Sequence, residues 1–222
     1  MGLPVRPPIR EMAISNLEAG HQNLLQKNIL HRDISIGNVL ITEDEQEGFL
    51  IDLDHAIRVD RECASGANGR TGTKVFMSIG LLEEVDGEGR QPHSFMDDLE
   101  SMFWLLFWIC VHYSGPVGES VGSTGYEDWN FRSPTSLADE KAGIISREKY
   151  FLHHARRNFT KFYRPLIPWV NELRREVFPS SACWEVEDPS LYDRMRAVLD
   201  KAMGDSLVVA DWPERNRGNA DY

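Results

Sequence analysis

Cysteine is scarce in this chain: Cys63, Cys110 and Cys183 are the only three among 222 residues. An odd number without metal-ligand spacing excludes a disulfide framework and a sulfur-built zinc site, and it fits a reducing intracellular setting. No stretch reaches the 18 or so consecutive apolar residues of a membrane span. The first ten residues, MGLPVRPPIR, hold three prolines and no apolar signal core, so no secretory signal is expected there. Gly2 follows Met1, but Arg6 stands where a myristoylation pattern needs Ser or Thr. These absences predict a soluble protein of the cytoplasm or nucleus with no membrane partner. Basic charge is also in deficit. There are 24 Lys and Arg against 35 Asp and Glu, a formal net charge of −11, which argues against nucleic acid as a partner. The one basic cluster, over 156–164 and 174–175, reads as the solvated face of a helix. Upstream of His31 there are only two glycines, Gly2 and Gly20, and one lysine, Lys27.

Apolar residues are well supplied. With 41% hydrophobic residues, including ten Phe, six Trp and six Tyr, the chain can bury a sizeable core as one large domain or two small ones. The stretch from His31 to Asp54 organises the rest. It runs H-R-D-I-S-I-G-N-V-L-I-T, then an acidic turn over 43–48, then F-L-I-D-L-D. Val39–Ile41 and Phe49–Ile51 are β-branched or aromatic runs between charged and glycine residues, and predict a hairpin. Pairing the two strands brings Asn38 near Asp52. An amide oxygen beside a carboxylate is a hard-oxygen pair suited to Mg²⁺. Asp33, just before them, is placed to take a proton from an attacking hydroxyl.

Around that centre the pattern is helical. Met12, Ile14, Leu17, Leu24 and Leu25 predict a helix over 10–29. Residues 55–72 are polar and glycine-rich and predict a loop. Ser94 or Asp97 is the candidate cap of a helix over 95–113, where Met102 to Tyr113 is apolar on nearly every side and therefore buried. Residues 114–146 read as a long surface connection, with Tyr126, Trp129 and Phe131 as isolated anchors packed on the lobe. Helical spacing returns over 147–177, interrupted by Pro165 and Pro168, and again over Leu191 to Met203. His153 and His154 face different sides, which disfavours a metal there. The tail from Gly204 is polar and loosely held.

His31-Arg32-Asp33, with Asn38 five positions on, resembles the catalytic loop of the protein-kinase fold. Asp52-Leu53-Asp54 stands where that fold has D-F-G, and Gly72 to Gly80 is similar to G-T-x-x-(aromatic)-M-A-P-E, with Ile79 and Gly80 in place of Pro and Glu. Together with D-D-L-E-S at 97–101, a W-N and a late W-P, the set looks most like the fungal-type protein kinase family. The resemblance covers about residues 10–213.

It implies a mainly α fold with a small β-hairpin, a kinase-like C-terminal lobe lacking the N-terminal β-rich lobe. Its parts would be an extension over 1–9, the lobe over 10–203 and a tail over 204–222. Within the lobe fall a catalytic loop at 31–38, a metal loop at 52–54, an activation-like segment at 55–80, a buried helix at 95–113, a connection at 114–146 and helices at 147–203. The resemblance further implies transfer of the ATP γ-phosphoryl group to a protein Ser or Thr. Asp33 would orient the hydroxyl, Asn38 and Asp52 would hold Mg²⁺, and Ser35 occupies the position of a catalytic lysine. His31, Arg32, Thr73 and Asp98 take structural or regulatory roles: Asp98 holds the catalytic-loop backbone, and Arg32 is a candidate partner for a phosphorylated Ser65, Thr71 or Thr73. Asp54, in place of the D-F-G glycine, removes freedom at positive φ. The glycine-rich loop and phosphate-gripping lysine of such kinases have no counterpart before His31, so Mg-ATP binding by this chain is expected to be weak and an N-terminal lobe is a candidate partner. Two classes stay open: a phosphotransferase whose nucleotide-binding half lies elsewhere, and a non-catalytic interaction module.

Overall fold

The most apolar stretch of the sequence forms the axis about which the other helices gather. The computed structural model describes residues 11–41, 48–59, 72–83, 93–115, 124–179, 184 and 186–209. Eight α-helices appear among these: α1 (Glu11–Gln26), α2 (Ile79–Glu83), α3 (Phe95–His112), α4 (Pro134–Ile145), α5 (Glu148–Asn158), α6 (Ile167–Val177), α7 (Leu191–Met203) and α8 (Ser206–Val209). Four short strands accompany them: β1 (Ile29–Leu30), β2 (Val39–Ile41), β3 (Gly48–Leu50) and β4 (Ile57–Arg58). The architecture is mainly helical with a small antiparallel hairpin.

Helix α3 begins at a capping box. The Ser94 hydroxyl accepts the Met96 amide at 3.1 Å, and the Asp97 carboxylate accepts the Ser94 amide at 2.9 Å. Between Phe95 and His112 only Asp97 and Trp108 escape full burial. Rings from separate helices close around it. Trp104 meets Trp129 edge-on at 5.9 Å, Phe103 meets Phe178 at 5.1 Å, and Phe107 meets Phe151 at 6.3 Å. Such pairs add about 0.5–1.5 kcal/mol each beyond the area they bury. Helix α6 packs on α3, α7 on both α6 and α1, and α1 also supports the hairpin strand β3.

Strands β2 and β3 pair in antiparallel register, Val39 with Leu50, Leu40 with Phe49 and Ile41 with Gly48. The second strand thus starts one residue earlier than the apolar run suggests. Ile51 leaves the ladder, yet its amide still reaches the Asn38 carbonyl at 2.9 Å. The loop expected over 55–72 contains β4, which pairs with β1. Two residues per strand are too few to leave an alternation in the sequence.

The connection expected over 114–146 holds a helix instead. The Ser133 hydroxyl caps α4 by accepting the Ser136 amide at 3.2 Å, and Pro134 follows in the first turn. Leu137, Ala138, Lys141, Ile144 and Ile145 form its buried stripe. Tyr126 and Trp129 are buried ahead of it, whereas Phe131 is 87% exposed and anchors nothing. Pro168 does not interrupt a helix either, because it sits in the first turn of α6. Beyond Gly204 the tail opens with α8, where Val208 is buried and the Trp169 indole donates to Asp205 at 2.9 Å. The extension 1–9, residues 43–47 of the acidic turn, Cys63, Ser65, Thr71, Cys183 and the late W-P lie outside the described residues.

Candidate active site

The chain leaves β1 at Leu30 and enters a loop whose backbone is fixed from below by α3. The fully buried Asp98 carboxylate accepts the His31 amide at 3.0 Å and the Arg32 amide at 3.1 Å. Arg32 needs that support, because its φ of 69° lies in the left-handed region. Two imidazoles also donate to the same carboxylate, His21 Nε2 at 2.7 Å and His93 Nε2 at 2.9 Å. Burial alone would raise the Asp98 carboxyl, but His93 and His21 beside it hold it well below the usual carboxylate range. For His93 burial works downward, and the facing Asp98 outweighs it, so its pKa rises. With His21 carrying its proton on Nε2, Nδ1 accepts the Tyr192 hydroxyl at 2.6 Å and extends the network to α7.

His31 is itself buried. Its Nε2 donates to the Ile51 carbonyl at 3.1 Å, which fixes the tautomer and ties the loop to the residue before Asp52. Burial pushes its pKa down, so the ring stays neutral near pH 7.

On this platform Asp33, Asn38 and Thr73 meet. Asn38 Nδ2 donates to the Asp33 carbonyl and to Asp33 Oδ2, both at 2.9 Å. The Thr73 amide and hydroxyl both donate to Asp33 Oδ1, at 2.7 and 3.1 Å. Both hydrogens of the Asn38 amide are therefore used on Asp33, and its Oδ1 has no hydrogen-bond partner among the described residues. The neighbour of Thr73 explains how the segments come so close. Gly72 has φ of 115°, and a Cβ there would lie 2.8 Å from the Arg32 carbonyl oxygen and 3.5 Å from Asp33 Oδ1.

Asp52 stands next to this group along the backbone, through the Ile51 bond to Asn38, but its carboxylate accepts the Asp54 amide at 3.2 Å. It is exposed, and no hydrogen bond joins it to Asp33 or Asn38. The positive φ expected at Asp54 falls on Asp52, at 64°. The Asp54 side chain therefore removes no freedom that the loop uses. Ser35 is buried, yet its hydroxyl bonds neither Asp33 nor Asn38 among the described residues. Arg32 is buried to 7% exposure beside the loop, and two of its three candidate phosphoacceptors lie outside the described residues.

The sequence alone does not mark His21 or His93 as site residues. A buried histidine on α1 has no local signature, because its partner lies 77 positions away. Gly72 had one: a glycine directly before a threonine in the segment that closes on the catalytic loop.

The model of the family described as fungal protein kinase matches residues 12–110. Over those residues the chain is similar to the fungal protein kinase family. No curated protein matches it. The matched segment runs from α1 through most of α3, so it includes His31 to Asn38, Asp52, Thr73 and Asp98. Helices α4 to α8 lie outside the match.

Proposed function

We propose that this protein is the acceptor-side lobe of an ATP-dependent phosphotransferase that acts on Ser or Thr hydroxyls of a protein, with the nucleotide-binding half supplied from outside the described residues. The observation that carries this reading is the Asp33 carboxylate, fixed on one oxygen by Asn38 and on the other by Thr73. Each carboxylate oxygen has two acceptor sites; Thr73 fills both on Oδ1 and Asn38 one on Oδ2, so Asp33 keeps one site on Oδ2 for a substrate hydroxyl. Its role is to orient that hydroxyl and take its proton as the new O–P bond forms.

The donors for a magnesium ion suit a hard cation: the Asn38 Oδ1 left over by the bonds to Asp33, and the exposed Asp52 carboxylate. When bound, Mg²⁺ neutralises charge on the phosphate oxygens. The outer face of the hairpin carries Leu40 and Phe49 side by side, 39% and 48% exposed, with Leu53 at 48% beyond them. An apolar face of this kind supports the presence of a second body covering it.

A specific observation favours the alternative, a non-catalytic interaction module. Ser35 brings no positive charge where such kinases place a lysine, and the Asp52 side chain is engaged with its own loop. The two readings part on one experiment. Joined to a nucleotide-binding half, the chain is expected to move labelled γ-phosphate from Mg-ATP to Ser/Thr peptides. By calorimetry, the chain alone should bind Mg-ATP more weakly than micromolar. A folded, joined protein that binds Mg-ATP and transfers nothing would favour the interaction module.

A further inference from the structure

Gly80 stands where the resembling segment places an anchoring glutamate, so the end of the activation-like segment must be held by other groups. Two charged side chains reach it from below, and both are buried. Lys141 on α4 is fully buried, and its Nζ donates to the Met77 carbonyl at 2.6 Å. Glu100 on α3 is 3% exposed, and its Oε1 accepts the Ile79 amide at 2.7 Å. Trp104 joins them: its indole N–H donates to Glu100 at 2.9 Å, and the Lys141 ammonium stands 4.6 Å from its ring centroid. Between the two grip points, the Ser78 hydroxyl donates to Asp97 at 2.5 Å and accepts the Leu81 amide at 3.2 Å.

We propose that Glu100 and Lys141 are positioning residues of the active site, holding the Met77–Ile79 backbone and through it keeping Thr73 against Asp33. The link upstream is short and rigid. The Phe76 amide bonds the Thr73 carbonyl at 2.8 Å and the Met77 amide bonds the Lys74 carbonyl at 3.3 Å, so one 3₁₀ turn joins the grip to Thr73. Displacement at Met77 is thus passed to the residue that donates twice to Asp33.

A buried charge pair stabilises a fold poorly compared with apolar side chains of equal volume, because both charges lose their hydration. Burial pushes the Glu100 carboxyl up and the Lys141 ammonium down, and each partly offsets the shift of the other. What the pair provides, and an apolar pair does not, is a donor for one backbone carbonyl and an acceptor for one backbone amide. Its catalytic meaning rests on the phosphotransfer reading, whereas the coupling itself does not.

Amide exchange of the whole chain, followed by NMR, tests this without any turnover. In the Glu100→Gln/Lys141→Met double variant the charges go together, and the thermal midpoint is expected to stay close to that of the parent. The Thr73 amide should nevertheless exchange roughly tenfold faster or more, because the Met77 carbonyl has lost its donor. Unchanged Thr73 protection at unchanged stability would overturn the proposal. The parent chain supplies a second measurement should the variant fail to fold. Thr73 and Ile79 amides should open in one step with the same denaturant dependence, and separate openings would overturn the coupling. A failed transfer assay with intact coupling would count against the phosphotransfer reading alone.

Discussion

At Gly72 the space for a side chain is already occupied by the loop at Arg32 and Asp33. A methyl group there would press on the Arg32 carbonyl at 2.8 Å, and φ of 115° is unfavourable for any L side chain. Gly72→Ala should cost about 1–3 kcal/mol by the strain of an unsuitable backbone region. Relief lies in moving the segment away, which breaks the Thr73 bonds to Asp33. The expected signs are a lower thermal midpoint and loss of Thr73 amide protection; a variant with both unchanged would mean the close approach is absent in solution. The same scale shows what a sequence conceals. His31, Arg32, Asp33 and Asn38 lie within eight positions and are legible as one unit. Lys141 looks like a surface residue beside Asp139 and Glu140, because the group that compensates its burial sits 41 positions back on α3. Left-handed backbone at Asp52 carries no signature, since nothing about an aspartate demands φ of 64°.

Elements differ in how much of their setting is local. Helix α3 announces itself through its cap, its acidic first turn and its unbroken apolar run, so its span and burial follow from the sequence alone. Helix α4 mixes Asp, Glu, Lys and Gly among its apolar positions, and its stripe becomes visible only once α2 and α5 are in place. The contact of α1 with α7 holds a further group that periodicity does not reveal. Glu18 is fully buried there, with Arg196 Nη2 at 3.4 Å from one carboxylate oxygen and no hydrogen-bond partner among the described residues for the other. Burial raises its pKa to about 8, and Arg196 only partly opposes that. The folded state therefore holds this proton more tightly than the unfolded chain, whose ordinary value is 4.5. The contribution is complete below that value and is lost as pH rises through about 8, on the order of a few kcal/mol. Glu18→Gln should remove that slope, so the variant loses less stability than the parent between pH 5 and pH 8. Equal losses in melting experiments at the two pH values would mean that another group sets the slope.

On the scale of the whole molecule, a buried helical body carries a small polar platform. Asp98 links α3 to the His31–Asn38 loop and, through His21 and Tyr192, to α1 and α7. The loop is thus positioned by the core rather than by its own short strands. Above it lie the exposed face of the hairpin and the Asp33–Asn38–Thr73 group, on which the proposed phosphotransfer rests. Replacing Asp33 by Asn keeps the shape of the side chain, but removes the carboxylate that the proposed reaction uses to accept the proton. The decisive measurement is the rate of phosphoryl transfer by the chain joined to a nucleotide-binding half, with Asp33 and with Asp33→Asn. A fall of roughly 10²–10⁴-fold is predicted, and equal rates for the two proteins would contradict the account.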